Sequence, residues 1–146
     1  MGSIPSNDAI RDQVQLALAE DIGNGDLTAS LVPAETRFTT RVICRDHAVL
    51  AGADWFEASF KQLDSDVSCE WSVSDGDFMP ADSLVCTVTG PARAILTGER
   101  TALNFLQVLS AAATRAAAFV RAVEGTGTII LDTRKTLPGL RLAQKY

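Results

Sequence analysis

From Ala92 to Val123 the chain is dominated by Ala, Leu, Arg, Thr and Gln, and it then passes through the turn signal Gly125-Thr126-Gly127 into the apolar run Ile129-Ile130-Leu131. A long helical stretch that feeds straight into a buried strand is a crossover, and it commits this end of the chain to an α/β layer. A polar and cationic cluster follows the strand at once: Asp132, Thr133, Arg134 and Lys135. In α/β folds ligands gather at the carboxyl ends of strands, so Thr133, Arg134 and Lys135 stand where a site is built. Thr136-Leu137-Pro138-Gly139 then bends the chain, and Leu140 to Tyr146 reads as the beginning of a helix.

The residue types in that cluster select an anion. A planar guanidinium grips a carboxylate or phosphate through two parallel hydrogen bonds, a neighbouring ammonium adds a mobile charge, and a hydroxyl donor completes the clamp. The residues alone also admit a plain alternative, a solvated loop in which Arg134 is paired to Asp132.

The chain before Ala92 reads as α+β. Asn7 or Asp8 can cap a helix whose Ile10, Val14, Ala17 and Leu18 share one face, and Gly23-Asn24-Gly25 ends it. The Asp21 to Thr28 loop carries two aspartates without the ligand spacing of a calcium loop, so they are read as capping and turn residues. Phe38 to Gly52 is β-rich with a break at Arg45-Asp46-His47, which suggests a hairpin or bent pair with His47 in the turn. Asp54 to Leu63 is a short amphipathic helix with Trp55, Phe56, Ala58, Ser59, Phe60 and Leu63 on its packing side. Val67 to Val73 alternates at the strand period, Ser74-Asp75-Gly76-Asp77 is a tight turn, and Ser83 to Thr89 is a further strand. Within Ala92–Val123 a break is expected near Ser110, and a domain boundary is placed there, giving 1–110 and 111–146.

Charge excludes some partners. With 13 Lys and Arg against 18 Asp and Glu the formal net charge is -5, so a nucleic-acid binder is not expected and an anion site must be a local positive pocket. Cys44, Cys69 and Cys86 are scattered and the single histidine is His47, so no metal cluster is expected and the cysteines are read as small buried groups in a reducing compartment. Met1 to Asp8 lacks the regions of a signal peptide, and no uninterrupted apolar run is of membrane-spanning length. A cytoplasmic location without membrane contact is the expectation.

Leu131-Asp132-Thr133-Arg134-Lys135-Thr136-Leu137-Pro138-Gly139-Leu140-Arg141, together with Gly98-Glu99-Arg100-Thr101-Ala102-Leu103-Asn104-Phe105-Leu106-Gln107, resembles the quinolinate phosphoribosyltransferases. The resemblance extends through Glu20-Asp21-Ile22-Gly23, Gly25-Asp26-Leu27-Thr28 and Asp75-Gly76-Asp77. It implies an α+β amino-terminal sandwich followed by the start of an incomplete α/β barrel. It further implies transfer of a ribosyl phosphate from phosphoribosyl pyrophosphate to quinolinate, with loss of carbon dioxide, to give nicotinate mononucleotide for NAD synthesis. Arg134 and Lys135 would be the catalytic cations, Thr133 would add a hydrogen bond, and Arg100 would reach the quinolinate of a neighbouring subunit in a homodimer. Magnesium would accompany the pyrophosphate-bearing substrate, with its ligands outside this chain.

The family continues past the position of Tyr146 with a glycine-rich segment, Asn-His-Arg, further lysines and acidic residues, so residues 1–146 alone are expected to be inactive or very poor as a catalyst. Ala111-Ala112 also stands where the family commonly has a glycine. Two rival readings remain open from the residues: a phosphoribosyltransferase of the same architecture with another anionic substrate, and a non-catalytic module that binds a dicarboxylate or pairs with a complete subunit.

Overall fold

The computed structural model describes residues 5–146; the leading Met1–Ile4, part of the segment read for signal-peptide character, lies outside them. Helix α1 (Asn7–Ile22) buries Ile10, Val14 and Leu18, as their spacing predicts. Its cap is Ser6, whose Oγ accepts from the Ala9 N–H at 3.2 Å. Serine, asparagine and aspartate are near-equivalent caps, so the choice within Ser6-Asn7-Asp8 is made by where the core admits Ile10. The short α2 (Leu27–Ser30) is capped by Asp26, which accepts from the Ala29 N–H at 3.0 Å. That backbone hydrogen bond, and after it one from Thr97, holds the Asp26 carboxyl below the usual carboxylate range.

The expected hairpin across Arg45-Asp46-His47 does not form. Strand β1 (Arg37–Cys44) pairs antiparallel with β5 (Ser83–Pro91), while β2 (Ala48–Val49) pairs with β4 (Phe78–Met79) in a separate sheet. The break redirects the chain: β1 slips register between Val42 and Ile43, and the Cys44 thiol donates to the Asp46 carbonyl at 2.9 Å. His47 sits in the turn, stacked on Phe78 at 5.6 Å between centroids, with Nδ1 accepting from the Ala81 N–H at 3.3 Å. Strand β3 (Ser68–Trp71) completes a three-stranded antiparallel sheet in the order β1-β5-β3.

Helices α3 (Ala53–Lys61) and α4 (Ala92–Ala122) form the middle layer. One core, with Leu50, Phe56, Phe60, Val67, Cys86, Val88, Ile95 and Leu106, lies between them and the sheet. A second, with Ile10, Val14, Leu18, Trp55, Phe105, Leu109 and Ala143, lies on their other side under α1 and α5 (Arg141–Lys145). The result is the expected α+β sandwich. Close approach of α3 to α4 depends on Gly98, where an added Cβ would stand 2.8 Å from Phe60 Cδ1 and 3.0 Å from Leu63 Cδ1. Burial pushes the Cys69 and Cys86 thiols up to about 12, so neither is a nucleophile near neutral pH.

Helix α4 has no break at Ser110, and the position of the expected domain boundary lies inside one continuous helix. The Ser110 hydroxyl accepts from the Ala51 N–H at 3.1 Å and donates to the Ala51 carbonyl, and the Thr114 hydroxyl one turn on accepts from the Val49 N–H at 2.8 Å. These hydroxyls fasten the helix to the β2–α3 connection instead of interrupting it. Phe105, Leu106 and Leu109 are buried and Leu103 is half-buried, but Val108 is exposed, so the packed arc is narrower than the apolar residues suggest. Among the described residues α4 is the one helix long and apolar enough to cross a membrane, a test that core helices of soluble proteins also pass, and its buried residues run from Ala92 to Ser110.

Candidate functional site

The segment carrying Thr133, Arg134 and Lys135 is not the buried strand that its sequence predicts. Residues 128–133 have no regular secondary structure, and Ile129 and Leu131 are 79% and 82% exposed. An apolar run becomes a strand only by pairing its N–H and C=O groups with a neighbour, and among the described residues none lies beside this one. The cationic residues are nonetheless presented in order. Thr133, Arg134 and Lys135 are all exposed, and the Thr133 hydroxyl accepts from the Lys135 N–H at 3.1 Å, which bends the chain between them.

The alternative pairing of Arg134 with Asp132 is absent. Asp132 is taken by Lys145, whose ammonium donates to it at 2.5 Å and holds its carboxyl below the usual range. Among the described residues Arg134 and Lys135 have no acidic partner, so both side chains are available to an anion.

The ground beneath this loop is firm because α5 docks on the first domain. Ala143 is buried in the second core, Gln13 Nε2 donates to the Gly139 carbonyl at 2.7 Å, and Tyr146 packs 5.6 Å from Trp55 between ring centroids. Gln144 accepts from the Leu137 N–H at 2.7 Å and closes the loop on itself. Asp75, read from sequence as a turn residue, does more: its two carboxylate oxygens accept from the Gly52 and Ala53 N–H groups at 2.9 and 3.2 Å and so cap α3, where Gly52 adopts φ 104°. Partial desolvation first, and then the nearby Asp75 carboxylate, raises the Tyr146 phenol to about 12, although the residue is 41% exposed.

Tyr146 is the single tyrosine of the chain, so absorbance at 295 nm should report a midpoint near 12. Asp75→Asn should lower it only in part, because burial is the larger cause. A midpoint near 10 would show α5 undocked. A raised phenol pKa adds stability that is present below about pH 10 and is lost as pH rises towards 12.

Arg100 lies on α4, and Nη1 donates to Asp21 Oδ1 at 2.8 Å. Asp21 comes from the last turn of α1, a pairing across the fold that spacing does not reveal. A cleft of about 490 Å³ opens beside it between α1, α4 and the Pro138–Leu140 turn, lined in part by Gln13, Asp21, Thr101 and Asn104. No hydrogen bond or ion pair among the described residues joins Arg100 to Thr133, Arg134 or Lys135. A second cleft of about 610 Å³ lies between the end of β1 and the second half of α4, but its cations are engaged: Arg45 pairs with Asp82 at 3.7 Å and Arg115 lies 5.0 Å over the Phe119 ring.

Comparison with known proteins bears on the whole chain. Residues 26–110 match the family described as quinolinate phosphoribosyl transferase, N-terminal domain, and residues 112–146 match its C-terminal domain. The nicotinate-nucleotide pyrophosphorylase (carboxylating) of Mycobacterium leprae is 41% identical over 146 residues, covering 95% of this chain and 50% of that protein. The probable nicotinate-nucleotide pyrophosphorylase (carboxylating) of Bacillus subtilis is 38% identical, covering 87% of this chain and 44% of its own length. The solved nicotinate-nucleotide pyrophosphorylase of Francisella tularensis superposes with a TM-score of 0.93 at 41% identity, over 99% of this chain and 52% of that one. The chain thus spans about half the length of the relatives it matches. With both of the family's domain patterns met in order on a shared fold, this chain belongs to the quinolinate phosphoribosyl transferase family.

Proposed function

We propose that this chain forms the front part of an enzyme of NAD biosynthesis that transfers the ribosyl 5-phosphate of phosphoribosyl pyrophosphate to the ring nitrogen of quinolinate. Pyrophosphate leaves the anomeric carbon as the nitrogen attacks it, one carboxylate departs as carbon dioxide with a proton taking its place, and nicotinate mononucleotide results. The observation that carries the reading is the match of residues 26–110 and 112–146 to the two domains of one family, with Arg100 in the first stretch and Thr133-Arg134-Lys135 in the second.

A substrate with two carboxylates needs paired cations. In this reading Arg134 and Lys135 hold one subunit's quinolinate, Thr133 adds a hydrogen bond, and Arg100 is donated from the other subunit of a homodimer. Holding both carboxylates fixes the ring nitrogen towards the sugar carbon. Residues 1–110 serve as the sandwich domain and 111–146 open the barrel. Magnesium would travel with the pyrophosphate group of the substrate, with its protein ligands outside this chain. Residues 1–146 alone are inactive in this account, and the enzyme is cytoplasmic, although some plant relatives are named as chloroplastic or mitochondrial.

The test is a chimera that joins residues 1–146 to the remaining barrel of the Francisella tularensis relative. It should release carbon dioxide from quinolinate only when phosphoribosyl pyrophosphate is present, and residues 1–146 alone should not. Arg100→Ala should raise the KM for quinolinate about tenfold or more, the expected loss of one charge-assisted contact. Turnover of another pyridine acid in preference to quinolinate would move the assignment to a sister enzyme.

A further inference from the structure

We infer that Asp21 is a positioning residue for Arg100, holding one end of the guanidinium so that the rest of its fork faces an incoming carboxylate. The inference rests on the proposed function, in which Arg100 meets quinolinate. Among the described residues only Nη1 is engaged, by Asp21 Oδ1 at 2.8 Å. A guanidinium carries five N–H donors, so one bonded edge leaves another able to grip a carboxylate through two parallel bonds.

Asp21 is suited to aim a flexible side chain. It stands in the last turn of α1, which Ile10, Val14 and Leu18 fix in the core, and its own side chain is only 21% exposed against 73% for Arg100. The chain following it is fastened to α4 one turn before Arg100, where the Thr97 hydroxyl donates to Asp26 Oδ2 at 2.9 Å. The anchor is therefore rigid while the group it holds reaches into solvent. An ion pair with so exposed a partner adds little to stability. Its value lies in ordering: an unrestrained arginine must give up its rotamer freedom when ligand binds, and one already held by Asp21 has given up most of it.

Asp21 also brings a negative charge near a dianion, so the acceptor oxygen and the charge have opposite effects on binding. Asparagine keeps an oxygen in place and drops the charge. Alanine drops both.

In the chimera, Asp21→Ala should raise the KM for quinolinate about fivefold to tenfold with kcat within about twofold, the cost of ordering one long side chain. Asp21→Asn should restore the KM to within about twofold of the parent. In an Arg100→Ala background Asp21→Ala should change nothing further. A second measurement needs no catalysis: ¹⁵N relaxation at the Arg100 Nε–H in residues 1–146 should show an ordered group in the parent and the asparagine variant and a mobile one in the alanine variant. Equal mobility in all three overturns the inference, whether or not the chimera is active. If Arg100→Ala raises the KM and Asp21→Ala does not, positioning by Asp21 is wrong while the role of Arg100 stands. If Arg100→Ala leaves the KM unchanged, the role of Arg100 fails and the inference fails with it.

Discussion

Replacing Trp55 by alanine should lower the stability of residues 1–146 by about 4 kcal/mol, the upper part of the range for a buried aromatic. Trp55 is 1% exposed, and it lies where α1, α3, α4 and α5 meet. Its indole N–H donates to Gln13 Oε1 at 2.8 Å, while the other end of the same amide holds the Gly139 carbonyl at 2.7 Å. Truncation therefore opens a cavity, leaves the Gln13 oxygen without its donor and removes the ring against which Tyr146 packs. For a chain of this length the loss corresponds to a fall in Tm of about 8 to 16 °C. Trp55→Phe, which keeps most of the ring and loses the N–H, should cost about 1–2 kcal/mol. Trp71 is the control: it is half-buried, so Trp71→Ala should cost clearly less. Urea unfolding of the three variants decides the matter, and a loss below about 1 kcal/mol for Trp55→Ala would mean that the second core does not carry the docking of α5.

Why Trp55 ranks so high was only half legible in sequence. The period of Ala53–Lys61 marks it as a core residue, just as the spacing of Ile10, Val14 and Leu18 marks the buried face of α1 and the alternation of Ser68–Trp71 marks a strand. Local pattern reports which face of an element seeks cover. It does not report what covers it. The pairing of β1 with β5, the split of β1 from β2 and the hold of Asp21 on Arg100 each join residues far apart in the chain, and no period in the sequence encodes them.

Two of the readings that failed did so for the same reason. Ser110 has a hydroxyl that competes for backbone partners, so it reads as a helix breaker; in the fold it finds the Ala51 N–H and carbonyl outside the helix and leaves the helix intact. Ile129-Ile130-Leu131 has the composition of a buried strand, but strand formation is a property of a pair, and its partner is not among the described residues. The family motifs carried more than the periods did. Asp75-Gly76-Asp77 is a helix cap delivered from a distant turn, and Asp26 of Gly25-Asp26-Leu27-Thr28 is at once a cap and a tie to α4.

Removing both cations of the loop, Arg134→Ala with Lys135→Ala, should lower kcat/KM for quinolinate in the chimera by about 10² to 10⁴. Each charge-assisted hydrogen bond contributes about 1.5–3 kcal/mol and the variant loses two. The effect should fall on catalysis without touching the fold, because both side chains are exposed and neither has an ion pair among the described residues. The Tm of the double variant should accordingly stay within about 1 °C of the parent, in contrast with Trp55→Ala. Arg134→Lys should recover only part of the loss, since an ammonium keeps the charge but cannot reproduce the planar fork. The KM of the parent should also rise with ionic strength, and that rise should be blunted in the double variant, because screening acts on the cations that have been removed. Should the double variant turn over quinolinate as the parent does while keeping its fold, the dianion is held elsewhere, and Thr133-Arg134-Lys135 is then the solvated loop that its exposure alone would also allow.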